Sequence, residues 1–465
     1  MNSVVIGLVL SLLIGRGGIG SELVWAQRPT PQGNAYYVAP TGTDSGPGTL
    51  AQPWQTIQKA AETMVAGDTV YIRAGTYREQ VVPRNSGSPG SYITYAAYPG
   101  EMPTLDGSGV ALQDTLVGLF EVSAKSYIRV SGLRVANVTV HSNNGGIIVK
   151  RSSYITIESS QTYNTISSGI GIWNSQNVTV DGNRIERANN SSSQECLTMA
   201  GTSAFQVSNN EVLDCGDEGI NVKNGSSNGK VFGNHVHHTA SAGIYVDAYE
   251  QHTYDIEVYQ NLIHDSSGDN GIALGSEKGG LLENVHVYNN IIYNNRYVGV
   301  LLSTAGSGNG LGEHPLKNIR IDNNTIYGNG WTGYGGGILV DNPDAQEVVI
   351  RNNLVSQNLS FQIAMDSSVQ PQAVTIDHNL VHGYRGYPGE TYGSAYVAGD
   401  PLFADPAAAD LHLREGSPAI DAGSAAGTPV DDYDGTLRPL DGDGDGVSAH
   451  DIGAFEVMWL GAVPF

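Results

Sequence analysis

Basic residues are scarce in this chain: 23 Lys and Arg stand against 46 Asp and Glu in 465 residues, a formal net charge of −23. Nucleic-acid binding runs through Lys/Arg contacts to phosphate, so no nucleic-acid partner is expected. A polyanionic partner would be repelled unless a cation or a local basic patch intervened. Cysteine is nearly absent, and two residues, Cys196 and Cys215, make no disulfide scaffold. Cys215 lies four residues before the position equivalent to Cys196 on the neighbouring repeat, an offset that suits two buried thiols better than a bridge. Long helical patterns are almost missing, while Gly (60 residues) and β-branched residues abound, which favours an all-β class. The apolar run at 4–14 is too short to span a bilayer. With Val24 and Ala26 placed for cleavage before Gln27, residues 1–26 read as a secretory signal. The mature chain is expected to be exported, without a membrane span, and monomeric.

What is present is a repeat. An Asn closes a β-run at positions 183, 210, 234, 261, 290, 324, 353 and 379, at intervals of 27, 24, 27, 29, 34, 29 and 26. A period in this range with β-type hydrophobicity marks a solenoid, in which each coil buries its face against its neighbours. The Asn residues themselves are read as structural, each bonding the coils above and below from a bend. A second β-run aligns across the coils: GIIVK (146–150), GIGIW (169–173), CLTMA (196–200), GINVK (219–223), GIYVD (243–247), GIALG (271–275), GVLLS (299–303), GILVD (337–341) and QIAMD (362–366). Alternation puts the second and fourth positions inward and the third and fifth outward. Two outward columns follow, Lys150–Trp173–Ala200–Lys223–Asp247–Gly275–Ser303–Asp341–Asp366 and Ile148–Gly171–Thr198–Asn221–Tyr245–Ala273–Leu301–Leu339–Ala364.

One stretch, 53–66 (PWQTIQKAAETMVA), carries a helical pattern through Trp54, Ile57, Ala61, Met64 and Val65. An open solenoid end exposes strand edges that need covering, and this helix is expected to be the N-terminal cap. The segment PWQTIQKAAETMVAGDTVYIRAGTYRE resembles the opening of secreted right-handed parallel β-helix proteins of the pectin-lyase-like superfamily. The end, with GSPAIDAG and DIGAFE, resembles the choice-of-anchor segment of exported bacterial β-helix proteins. The expected architecture is a right-handed parallel β-helix of about ten or eleven coils. Its parts are a cap and first coils at 27–126, the β-helix proper at 127–399 and a small C-terminal segment at 400–465 on the far end.

Chemistry gathers on three successive coils. Glu195 and Glu218 precede their strands at matching positions, Asp217 adds a third carboxylate, and Lys223 and Asp247 share a column beside Thr198, Asn221 and Tyr245. Stacked carboxylates about 5 Å apart raise one another's pKa or demand a cation. A Ca²⁺ on such oxygens would neutralise a uronate carboxylate and acidify its C5 proton; Lys223 would then abstract it and Tyr245 would protonate the leaving oxygen. The stretch DEGINVKNGSSNGKVFGN is similar to the region of alginate-lyase-type β-helices in which a Glu five residues before a Lys binds calcium and the Lys is the base. Glu218 and Lys223 match that spacing, whereas the partner arginine of those lyases is replaced by Asp247. Trp173 reads either as a platform for a sugar ring or as a plain exposed aromatic. Glu250 and His252 extend the substrate wall, as do Asp269, Glu277 and Lys278. His237 and His238 read as turn residues. In LDGDGDGVSAHD, Asp441, Asp443 and Asp445, with Asp451 beyond, resemble the start of a calcium loop lacking its bidentate Glu.

The expected function is a polysaccharide lyase or C5-epimerase acting on acidic glycans. One alternative is a β-helical glycoside hydrolase using Asp217, Glu218 and Asp247. Another is a non-catalytic glycan-binding solenoid on the cell surface, in which the charges are a solvated face and Lys223–Asp247 a surface ion pair worth under about 1 kcal/mol.

Overall fold

The computed structural model describes residues 33–190, 194–304, 313–331, 333–459 and 461; the segment read as a secretory signal lies outside them. The chain winds as a parallel β-helix. A first sheet of thirteen strands runs from Ala35–Val38 to Val374–Asp377, and a second of thirteen from Thr76–Tyr77 to Val397–Ala398. A third sheet of ten strands runs from Val117–Ser123 to Phe361–Met365. From Val117 to His382 each coil contributes one strand to each sheet, whereas the coils before it contribute only to the first two, and every pairing along the three sheets is parallel. Edge-to-edge stacking satisfies the backbone between coils, so the side chains need only fill the bore.

The bore is filled as the alternation requires. Ile170/Ile172, Leu197/Met199, Ile220/Val222, Ile244/Val246, Ile272/Leu274 and Val300/Leu302 are all fully buried. The register of the third sheet reproduces one outward column throughout: Ile148 pairs with Gly171, Gly171 with Thr198, Thr198 with Asn221, Asn221 with Tyr245, and Tyr245 with Ala273. The other column pairs Lys150 with Trp173, Trp173 with Ala200, Ala200 with Lys223, and then Asp247 with Gly275.

The recurrent asparagines form one continuous ladder. From Asn183 to Asn353, each side chain donates through Nδ2 to the Oδ1 of the next rung's Asn at 2.9–3.0 Å, and Asn379 closes the series. A second ladder, absent from the sequence reading, links Asn295, Asn329, Asn358 and Gln362 at the bend before the third sheet.

The helix is shorter than its pattern, Ile57–Thr63, with the Thr56 hydroxyl accepting from the Lys59 amide. Trp54 and Met64 are buried beside it, but Val65 is 54% exposed, because the chain leaves the helix at Met64 in an extended conformation. The two cysteines are bridged, with Cα atoms 5.9 Å apart. Their offset does not prevent this: Cys215 lies in the turn before its strand, where the chain comes back beside the start of the preceding rung.

The C-terminal segment does not sit on the far end. It folds back along the flank of the second sheet, where Phe403, Leu411, Ala419, Ile452, Ala454 and Phe455 cover Ile291, Leu354 and Leu380. Gln260, Asn289 and Asn323 tie it down through hydrogen bonds to the carbonyls of Asp432, Asp431 and Asp451. Arg438, fully buried, bonds Glu456 and the carbonyls of Asp451 and Gly453 at its centre.

Candidate active site

Three consecutive rungs of the third sheet, Leu197–Ala200, Ile220–Lys223 and Ile244–Asp247, carry the acidic wall. Their inward Ile, Leu, Met and Val residues lock the pleat, so Thr198, Asn221, Lys223, Tyr245 and Asp247 must project from the other face. That face points outward but is not wet: Thr198 is 0%, Asn221 2% and Asp247 3% exposed. The solvated face of the non-catalytic alternative is therefore not what the rungs present; the wall is desolvated, and the electrostatics follow from that.

Lys223 does not pair with Asp247. It reaches back across Ala200 to the preceding rung, where Nζ lies 2.5 Å from Glu195 Oε1, with side chains only 18% and 9% exposed. Glu195 is held in turn by the Thr198 hydroxyl at 2.9 Å, and Ser168 continues the chain to Thr198 at 2.8 Å. Burial alone would depress the Lys223 amine, but the Glu195 carboxylate beside it overcomes this and moves the pKa upward. The resting lysine is protonated.

The remaining carboxyls have no comparable cation among the described residues. Burial first, then the charges of Asp217 and Glu195, push Glu218 up to about 8. Burial, with Glu277 next, pushes Asp247 up to about 8. Asp217 rises in the same direction, chiefly by desolvation. Among the described residues, Asp247 Oδ1 and Asn221 Oδ1 are enclosed without a hydrogen-bond partner. Four carboxyls thus face one ammonium, and two acceptors stand unpaired at the centre.

Two aromatic rings flank this centre. Tyr245 leans over the next rung, so that a Cβ on Gly275 would meet its hydroxyl at 2.5 Å, and it donates to Glu277 Oε1 at 2.8 Å. Burial raises its pKa well above the ordinary value. Trp173 stands two rungs from Lys223, folded flat over Gly171, where a Cβ would strike its ring at 2.1 Å. Ser241, which the sequence reading passed over, donates to Glu218 at 3.3 Å. It occupies the position equivalent to Asp217, so extending the column alignment by one more residue would have found it. Glu121 and Lys150, three rungs earlier, repeat an acid–lysine pair at 2.9 Å.

Other candidates fall elsewhere. His252 is directed to the first sheet, against Glu283 at 3.1 Å and the Tyr254 ring. Glu250 is exposed and pairs with Lys278 at 3.4 Å. Glu195, Asp217 and Glu218 offer the hard oxygen donors calcium requires, but among the described residues they do not converge as a set of three within 4.8 Å. Asp441 and Asp443 do converge, with Asp421 as the third member. Asp445 instead accepts from the Val447 amide. Asp451 is buried beneath, accepting from the Asp421 and Val457 amides, with burial and Glu456 pushing it up to about 7.

Comparison with known proteins settles the architecture. The family described as "Pel9A-like, right handed beta helix region" matches residues 36–193, and "Right handed beta helix region" matches 189–314. The fold is a right-handed parallel β-helix. The uncharacterized protein YwoF of Bacillus subtilis (strain 168) is 27% identical over 443 residues, covering 83% of this chain and 92% of that protein. Among solved structures, pectate lyase Pel9A superposes with a TM-score of 0.54 at 18% identity, over 91% of this chain and 96% of that one. Polygalacturonase from Erwinia carotovora ssp. carotovora gives 0.54 at 13% identity, over 75% of this chain and 99% of that one. One fold thus carries both an eliminating and a hydrolysing enzyme, and only the site can separate them.

Proposed function

We propose that the protein is an exported, carbohydrate-active β-helix enzyme that cleaves or epimerises uronate-containing glycans, with Lys223 as the proton-abstracting group. The observation that carries this reading is the Lys223–Glu195 contact inside a wall of uncompensated carboxyls. A protonated lysine is not a base. Glu195 contributes most to holding its proton there, so drawing that carboxylate away would leave a desolvated amine that gives its proton up more readily. Glu195, Asp217 and Glu218 carry the hard oxygen donors a divalent cation takes but do not converge on one point, so no step is assigned to a metal here. In this reading Asn221 and Asp247 orient the sugar from the centre of the wall, Tyr245 is the phenol that protonates the leaving oxygen, and Trp173 offers an apolar face to a ring two rungs away.

A hydrolase is favoured by a different observation. Asp247 and Glu218, pushed up to about 8, keep their protons at neutral pH as a general acid must. Digestion of pectate, alginate and glycosaminoglycans, with calcium and with chelator, separates the two. Elimination yields ultraviolet-absorbing unsaturated ends that disappear in Lys223→Ala. Hydrolysis yields reducing ends without them. Binding with neither kind of new end, and with uronate stereochemistry unchanged by NMR, would leave a glycan-binding solenoid and remove the enzyme reading.

A further inference from the structure

A second cluster lies on a different sheet. His235 and His237 sit two apart on one strand of the second sheet, with Val236 between them buried in the bore. His264 sits on the next rung, in register with His237. All three rings therefore project from the same face. His237 belongs to this strand, whereas His238, at φ 56°, is the turn residue. The rings of His237 and His264 are nearly parallel, 7° apart with centroids 5.1 Å from each other. The Nε2 atoms of His235 and His264 are 2.8 Å apart, and one nitrogen from each of the three rings lies within 4.8 Å of the other two.

The protons on this cluster are constrained. His264 Nδ1 is 2.7 Å from Asp265 Oδ2, so it carries the hydrogen and leaves the lone pair on Nε2, facing His235. His237 Nδ1 is engaged with His238 at 2.6 Å, and its Nε2 is enclosed without a hydrogen-bond partner among the described residues. Its nearest anion, Glu211 Oε1, stands 3.7 Å away and is engaged by Arg184. Burial lowers the basicity of all three imidazoles.

The geometry points to a tridentate metal site, with His235, His237 and His264 as ligands for zinc or a similar borderline cation. A tetrahedral zinc with Zn–N bonds of ~2.0–2.1 Å places its nitrogens about 3.4 Å apart, which falls between the shortest separation here and the outer limit of the cluster. Small ring rotations close the difference. Asp265 is the carboxylate that fixes the tautomer and orientation of a ligating imidazole. Glu211 or water completes the shell. The site joins two adjacent rungs at the rim of the docked C-terminal segment, since Tyr293 stacks on His264 at 4.8 Å and packs into the cluster around Phe403 and Phe455. Its role is therefore structural, and it is independent of the Lys223 wall.

Chelator-treated full-length protein, titrated calorimetrically with Zn²⁺ alone, is expected to bind one ion with a raised Tm. Co²⁺ in its place is expected to give the intense visible bands of a tetrahedral site. His264→Gln and His237→Gln should each weaken zinc binding at least about tenfold, and Asp265→Asn about 10–100-fold, while His412→Gln changes nothing. Unweakened binding in the His264 and His237 variants would place the ion elsewhere, at Asp421, Asp441 and Asp443 for instance, and overturn the assignment. Should those variants fail to fold, the wild-type Co²⁺ spectrum decides alone: octahedral bands or none sink the site.

Discussion

At the scale of single residues, the Lys223–Glu195 contact governs both stability and chemistry. Removing the amine strands a buried carboxylate, so Lys223→Ala is expected to lose about 3 kcal/mol in urea unfolding. Lys223→Met combined with Glu195→Gln should recover most of that loss without recovering activity. That split distinguishes a reacting lysine from a merely structural one. Asp247 and Glu218 act through pH. Each keeps its proton in the folded chain, up to about 8, where the same carboxyl of the unfolded chain is already ionised. The folded state therefore binds more protons between about pH 4 and about 8, and stability falls as pH rises through that window. Thermal melts from about pH 5 to about pH 8 should show a declining Tm, with a flatter decline in Asp247→Asn. Equal slopes in the two proteins would mean that Asp247 titrates normally.

At the scale of elements, the two periodicities of the chain explain what could be read in advance. Alternation along GINVK and GIYVD fixes which side chains face inward, and the spacing of Gly and Asn fixes the register, so both columns and the ladder from Asn183 to Asn379 were legible. Solvent exposure was not legible, because alternation reports direction and says nothing of what leans over a face. The tilt of Lys223 toward Glu195, the roof of Tyr245 over Gly275 and the bridge between Cys196 and Cys215 depend on rotamers and turn paths with no period. The second ladder was missed because it has three Asn rungs, Asn295, Asn329 and Asn358, and ends on Gln362 four residues along the same coil, too short a run to stand out as a period. Each ladder Asn satisfies buried groups on two rungs, so Asn261→Leu is expected to cost about 2–4 kcal/mol. Pairing it with Asn234→Leu should cost less than the sum, because the two share a bond. Strict additivity in chemical unfolding would show that the ladder is not a connected network.

At the scale of the whole molecule, the C-terminal segment covers an apolar flank that the solenoid cannot cover by itself. A chain ending at residue 399 would bare Ile291, Leu354 and Leu380, and is expected to bind a hydrophobic dye and associate at micromolar concentration, whereas the full chain does neither. A monodisperse truncated chain with no dye binding would show the flank to be self-sufficient. The bridge between Cys196 and Cys215 has a reach beyond its two coils. Cys196 directly follows Glu195, and Cys215 stands two residues before Asp217. The covalent clasp therefore pins the acidic rim of the wall on both rungs at once, adding about 3 kcal/mol by the entropy of the loop it closes. Protein synthesised in a reducing cytosol would keep every reacting group but lose that fastening. Refolding history, rather than sequence, would then set how sharply the wall is formed, and an inactive preparation would need its thiols counted before its residues were blamed.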